Sequence, residues 1–95
     1  MPTYVVLYNL TEKGRKDIHT IADRMDQART RAESTGVHVI ANYVTMGIYD
    51  IVTIVEAPND ETIARGSAAI LEAGNVSSVT MRAFSTEEWR RATKG

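Results

Sequence analysis

The sequence predicts an α+β domain of β-α-β-β-α-β order, an antiparallel sheet with both helices on one face. Three features predict it. Four short segments are rich in β-branched and aromatic residues. Two stretches repeat apolar residues at helical spacing. Only three residues separate the second strand from the third, which calls for an antiparallel hairpin.

Thr3–Leu10 (TYVVLYNL) reads as the first strand. Tyr4, Val6, Tyr8 and Leu10 occupy one parity, and Val5 and Leu7 make the other apolar too, so the strand is expected at the centre of its sheet, covered on both faces. Thr11–Lys16 is polar, contains Gly14, and reads as a turn. A helix is expected from Thr20, with Asp23 three positions on as a near capping box. Its apolar stripe is Ile21, Met25, Ala28 and Ala32, and Gly36 is the residue just past its end.

Val37–Met46 is the second expected strand and Asp50–Ala57 the third, joined by Gly47, Ile48 and Tyr49. Pro58-Asn59-Asp60 offers caps for a second helix with the stripe Ile63, Ser67, Ile70 and Leu71. Asp60 and Glu61 suit the positive end of its dipole. Gly74-Asn75 stops that helix, and Val76–Phe84 is the fourth strand. Ser85 with Glu88 forms a capping box opening a short terminal helix through Trp89 and Ala92.

With right-handed crossovers, this order is the split βαβ, ferredoxin-like sheet. One sheet face is left without helices and would expose on the order of a thousand Å² in a single chain, more than soluble monomers tolerate. The expected answer is self-association through that face, as a homodimer or higher oligomer.

Composition narrows the function classes. Ninety-five residues make a single domain, 1–95, and 43% hydrophobic against 24% charged residues is globular. Eleven basic and twelve acidic residues give a net charge of -1, so no overall pull on nucleic acid or an anionic membrane is expected. The absence of cysteine excludes disulfides, thiolate nucleophiles and zinc-thiolate sites. No basic leader precedes the first strand and no apolar run approaches the roughly 20 residues that cross a bilayer, so a cytoplasmic location is expected.

The stretch Tyr43-Val44-Thr45-Met46-Gly47-Ile48-Tyr49-Asp50-Ile51-Val52, followed by Val55-Glu56-Ala57-Pro58-Asn59-Asp60-Glu61, resembles the signature of the GYD-domain family. Gly74-Asn75-Val76 and Arg82-Ala83-Phe84-Ser85 resemble its second signature, so the likeness covers nearly the whole chain. It implies a ferredoxin-like domain similar to the dimeric α+β barrel proteins. Those include cofactor-free monooxygenases, isomerases, heme enzymes and small-molecule-sensing regulatory domains, and fold likeness does not choose among them.

Each candidate site has a structural reading beside the functional one. Tyr49 and Asp50 could share a proton with a substrate at the mouth of an inter-sheet cavity. The commoner alternative is a turn in which Asp50 caps backbone N–H groups. Arg82 is the ligand contact of choice: it could hold an anionic ligand bidentately, or pair with Asp50 or Glu56. His38 and Asn42 share a parity and, with Tyr43, could line the cavity, although a histidine near an edge-strand start is more often solvated. His19 and His38 sit on different elements without ligand spacing, so no metal and no cofactor is expected; heme ligation by either has no supporting neighbour. Met1-Pro2 would present a proline amine only after loss of Met1. The arginines at 24, 29, 31, 90 and 91 and Lys94 are interleaved with acids or terminal, as on a solvated face.

Three functions follow. The first is binding of a small molecule, an anionic one included, between sheets. The second is a cofactor-free or heme-assisted enzyme of the monooxygenase or isomerase kind. The third is an assembly module whose gap is filled by Val52, Ile54, Val44 and Met46.

Overall fold

A strand apolar on both parities belongs in the middle of a sheet, and β1 (Thr3–Leu10) is there. In the computed structural model, which describes residues 1–95, β2 (His38–Val44), β3 (Ile51–Glu56), β1 and β4 (Val76–Ala83) lie side by side in that order. Every neighbouring pair is antiparallel. The helices are α1 (Ile21–Ser34), α2 (Asp60–Glu72) and α3 (Thr86–Thr93), and a short 3-10 turn, Ile18–Thr20, leads into α1. This is the ferredoxin-like arrangement expected from the sequence.

The core lies on one side of the sheet. Tyr4 and Val6 of β1, Val39 of β2 and Val55 of β3 are buried with Val37 and Ala57, and Ala32 of α1 and Ile63 of α2 pack against them. Both helices therefore cover the same face. The α1 stripe is as expected: Ile21, Met25, Ala28 and Ala32 are half-buried. The α2 stripe is displaced. Thr62 is buried and Ile63, Gly66 and Ser67 are half-buried, whereas Ile70 and Leu71 face solvent.

Helix starts divide between two mechanisms. Asn59 caps α2, its Oδ1 accepting from Thr62 N at 2.9 Å and from Thr62 Oγ1 at 2.8 Å. Ser85 and Glu88 form the full reciprocal box on α3, and the hydrogen bonds from Ser85 hold the Glu88 carboxyl below its usual range. Thr20 does not cap α1. Its hydroxyl donates to Asp17 O at 2.7 Å, stabilising the preceding 3-10 turn. Gly36 follows α1 at φ 92, the left-handed position expected of it.

β2 is shorter than expected and carries a bulge. Val39 pairs with Val55 and Ala41 with Ile54, so Ile40 is an extra residue outside the ladder. The β2–β3 connection is longer than three residues. Thr45 N donates to Asp50 O at 2.8 Å and Thr45 Oγ1 to Tyr49 O at 2.6 Å, which closes the loop without extending the ladder.

The register of β1, β3 and β4 settles the opposite face. Two cross-strand rows lie there: Tyr43–Val52–Leu7–Val79, and Ala41–Ile54–Val5–Met81. The more polar row His38–Glu56–Thr3–Ala83 flanks them on one side and Asn9–Ser77 on the other. None of these residues belongs to the helix-packed core, and Tyr43, Val79 and Met81 are exposed.

Candidate functional site

The uncovered face is the candidate site, and its construction follows from strand alternation. A one-residue step in pairing would turn its valines and isoleucines into the core. Instead β1, β3 and β4 send their second apolar parity to this side, where Val5, Leu7, Val52 and Ile54 stand half-buried among one another. Of the four residues expected to fill an inter-sheet gap, Val52 and Ile54 are on this face. Val44 pairs with Ile51 on the helix side, and Met46 lies beyond the strand, fully exposed.

His38 and Asn42 do not share a face. The extra residue at Ile40 reverses the alternation, placing His38 opposite Glu56 on the uncovered side and Asn42 opposite Thr53 on the helix side. Asn42 Oδ1 accepts from Thr53 Oγ1 at 2.7 Å, satisfying a buried threonine. His38 Nδ1 lies 3.3 Å from both Glu33 carboxylate oxygens at the end of α1. Tyr43 stands on the uncovered side. The structure thus keeps Tyr43 and His38 on one face and removes Asn42.

Asp50 is held by backbone. Its Oδ2 accepts from Leu10 N at 2.8 Å, and its own N donates to Tyr8 O at 2.8 Å. It anchors the hairpin to the end of β1 beyond the last ladder pair, Tyr8–Ile51; Tyr49 contributes its carbonyl to the same loop. The turn reading expected for this pair is the arrangement observed.

Arg82 faces the helix side, opposite Tyr4, and does not look into an inter-sheet gap. It pairs with neither Asp50 nor Glu56; the ion pairs of the chain are His38–Glu33, Arg90–Glu87 and Arg91–Glu87. Its Nη1 donates to the carbonyls of Thr3 and Ala83, and its guanidinium lies 4.3 Å over the Phe84 ring and 5.9 Å from that of Tyr4. Phe84 meets Trp89 edge-on at 5.9 Å. Arg82 and Phe84 are two apart on an extended segment, so their shared face was legible. The contact with Trp89 depends on how α3 folds back, which no spacing reveals.

Tyr4 and Asp60 form a pair that sequence reasoning missed, since 56 residues separate them. The Tyr4 hydroxyl donates to Asp60 Oδ1, and this bond, then burial, pushes the phenol above its ordinary range. Burial does the same to Tyr8. Ionisation is therefore harder folded than unfolded, so both phenols add stability that is present below about pH 10 and lost as pH rises through their raised values. On their account stability should fall above about pH 10. Tyr4→Phe should remove part of that fall, followed by tyrosinate absorbance alongside unfolding.

Two concavities stand out. One, about 220 Å³, lies between α1 and β2 and is lined by Ala22, Met25, Asp26, Arg29, Asn42 and Val44. The other, about 370 Å³, is lined by Thr11, Glu12, Lys13, Lys16 and Gly74, with no apolar side chain. Lys13 Nζ is engaged there with Ala73 O at 2.7 Å, satisfying the carbonyl end of α2. No helix is long and apolar enough to cross a membrane.

Among known proteins, the family model described as GYD domain matches residues 4–93. The "Glutamine synthetase and cystathionine beta-lyase binding protein" of Thermus thermophilus is 34% identical over 85 residues, covering 88% of this chain and 90% of that protein. The crystal structure of MtbAldR has a TM-score of 0.67 at 18% identity over 88% of this chain, which spans about half (52%) of that longer one. The crystal structure of FFRP-DM1 has a TM-score of 0.64 at 20% identity, covering 88% of this chain and all of the other (100%). At these identities the two structures bear on the fold alone.

Proposed function

Because this chain belongs to the GYD domain family, we propose that it is a protein-binding module that pairs with itself through the uncovered sheet face and binds metabolic enzymes with its remaining surface. One observation carries the self-pairing: the two apolar rows on that face lie between more polar rows, the pattern of an interface core within a polar rim. Two such faces stacked about 10 Å apart would bury both sets of side chains.

The enzyme-binding half is supported by the relative named as binding glutamine synthetase and cystathionine β-lyase, whose length this chain nearly matches. It is also supported by the engagement of the side chains best suited to chemistry. Asp50 is committed to backbone and Arg82 to carbonyls and an aromatic ring. A second reading, a small ligand held between the paired sheets, is favoured by Tyr43 and His38, which share the uncovered face.

Native mass spectrometry of the purified protein separates these readings. The expected mass is that of two chains or more, and single chains alone would overturn self-pairing. Added mass that is lost on denaturation would favour the ligand reading. Glutamine synthetase and cystathionine β-lyase from the chain's own source, passed over the immobilised protein, should show retention of at least one. Retention of neither by an intact oligomer would overturn the enzyme-binding half.

A further inference from the structure

The most exposed large apolar side chains of the molecule are at the tip of the β2–β3 hairpin: Met46 is 102% exposed and Ile48 85%. Tyr43, at 58%, leads into it from the uncovered face, so three large apolar residues stand in solvent within six positions. Met46 and Ile48 take no part in closing the hairpin. The loop is closed by Thr45, Tyr49 and Asp50 through backbone and hydroxyl hydrogen bonds, and Met46 stands wholly in solvent. Adjoining exposed apolar groups are characteristic of contact surfaces.

We propose that the tip is a clasp that packs on a second copy of this chain, carrying the sheet-to-sheet contact past the rim of the sheet. This rests on the self-pairing reading above. Continuity is one reason: Tyr43 is the outer member of the row Tyr43–Val52–Leu7–Val79 and also the first residue of the exposed tip. Area is the other. The uncovered parity of the four strands offers about 14 residues, whereas a stable interface uses roughly 20–30 a side. The face alone falls short, and the hairpin is the apolar surface that adjoins it. In a two-fold pair each tip meets the same patch on the other copy, so one hairpin supplies two clasps.

The chain has no cysteine, so one introduced thiol reports on one place. Met46→Cys should react with a maleimide about tenfold or more slowly in the self-paired protein than in an Ile54→Asp background that holds it as single chains, because reaction must await opening. Val52→Cys, on the sheet face, is the control. A slowed thiol at Val52 with an unslowed one at Met46 would overturn the clasp and spare self-pairing. Equal, fast reaction at both sites in a protein of single-chain mass would overturn both. A Met46 thiol slowed only after a partner enzyme is added would assign the tip to that enzyme and overturn the clasp.

Discussion

Replacing Ile54 by aspartate is expected to dissolve the self-paired form and leave the domain folded. Ile54 lies at the middle of the uncovered face, between Ala41 and Val5 in its row. It is half-buried and contributes nothing to the helix-side core. In a two-fold pair it is lost twice. Because Ile54 is already half-buried in the single chain, each loss removes about half of the roughly 1.5–3 kcal/mol of a full apolar burial. Each aspartate would also be an unpaired charge taken out of water, the larger part of the cost. A total of at least about 5 kcal/mol weakens self-association by more than three orders of magnitude. Native mass spectrometry and light scattering should report single chains, while far-ultraviolet circular dichroism stays that of the parent. A variant that stays paired would move the interface elsewhere; one that unfolds would place Ile54 in the core.

Gly14→Ala should produce the largest loss of stability from the smallest change. The turn after β1 is pressed against the end of α2: Thr11 N donates to Asn75 O at 2.9 Å and Thr11 Oγ1 to Gly74 O at 2.6 Å. A Cβ on Gly14 would sit 2.0 Å from Asn75 O, which is backbone and cannot swing aside. The same segment carries Gly14 O, which accepts from Arg24 Nη2 at 3.0 Å, so displacing the turn also disturbs α1. Overpacking of this kind costs roughly 1–3 kcal/mol or more, equivalent to a fall in Tm of about 4–8 °C per kcal/mol in a domain of this size. A thermal melt within a degree of the parent would show that the turn can relax. Gly66→Ala, where nothing lies within 4 Å of the new Cβ, is the matched control.

Much of the fold was legible because periodicity reports burial. The doubled apolar parity of β1 placed it centrally, and the stripe from Ile21 to Ala32 named the buried side of α1. The Ser85–Glu88 box marked where α3 begins. What failed was local geometry with no periodic trace. A single unpaired residue at Ile40 reverses every face assignment after it, and so separated His38 from Asn42. Ile70 and Leu71 continue a helical stripe yet stay exposed, since spacing records which residues share a face but not what covers it. The site divides along the same line. The uncovered face was foreseen from counting helices, whereas the Tyr4–Asp60 bond and the carbonyl anchoring of Arg82 join segments that only the tertiary fold brings together.

The extra residue at Ile40 has a further consequence for the solubility of the molecule. β2 is an outer strand, and an outer strand offers unpaired N–H and C=O groups to any extended chain that meets it. Were Ile40 missing, Val39 and Ala41 would continue one unbroken ladder along β3, and the free side of β2 would be straight and evenly spaced. With Ile40 present, the spacing of those groups is broken part-way along, so a strand arriving from another molecule cannot zip past that point. The bulge thus breaks the regular edge along which strand-by-strand growth from another molecule would run.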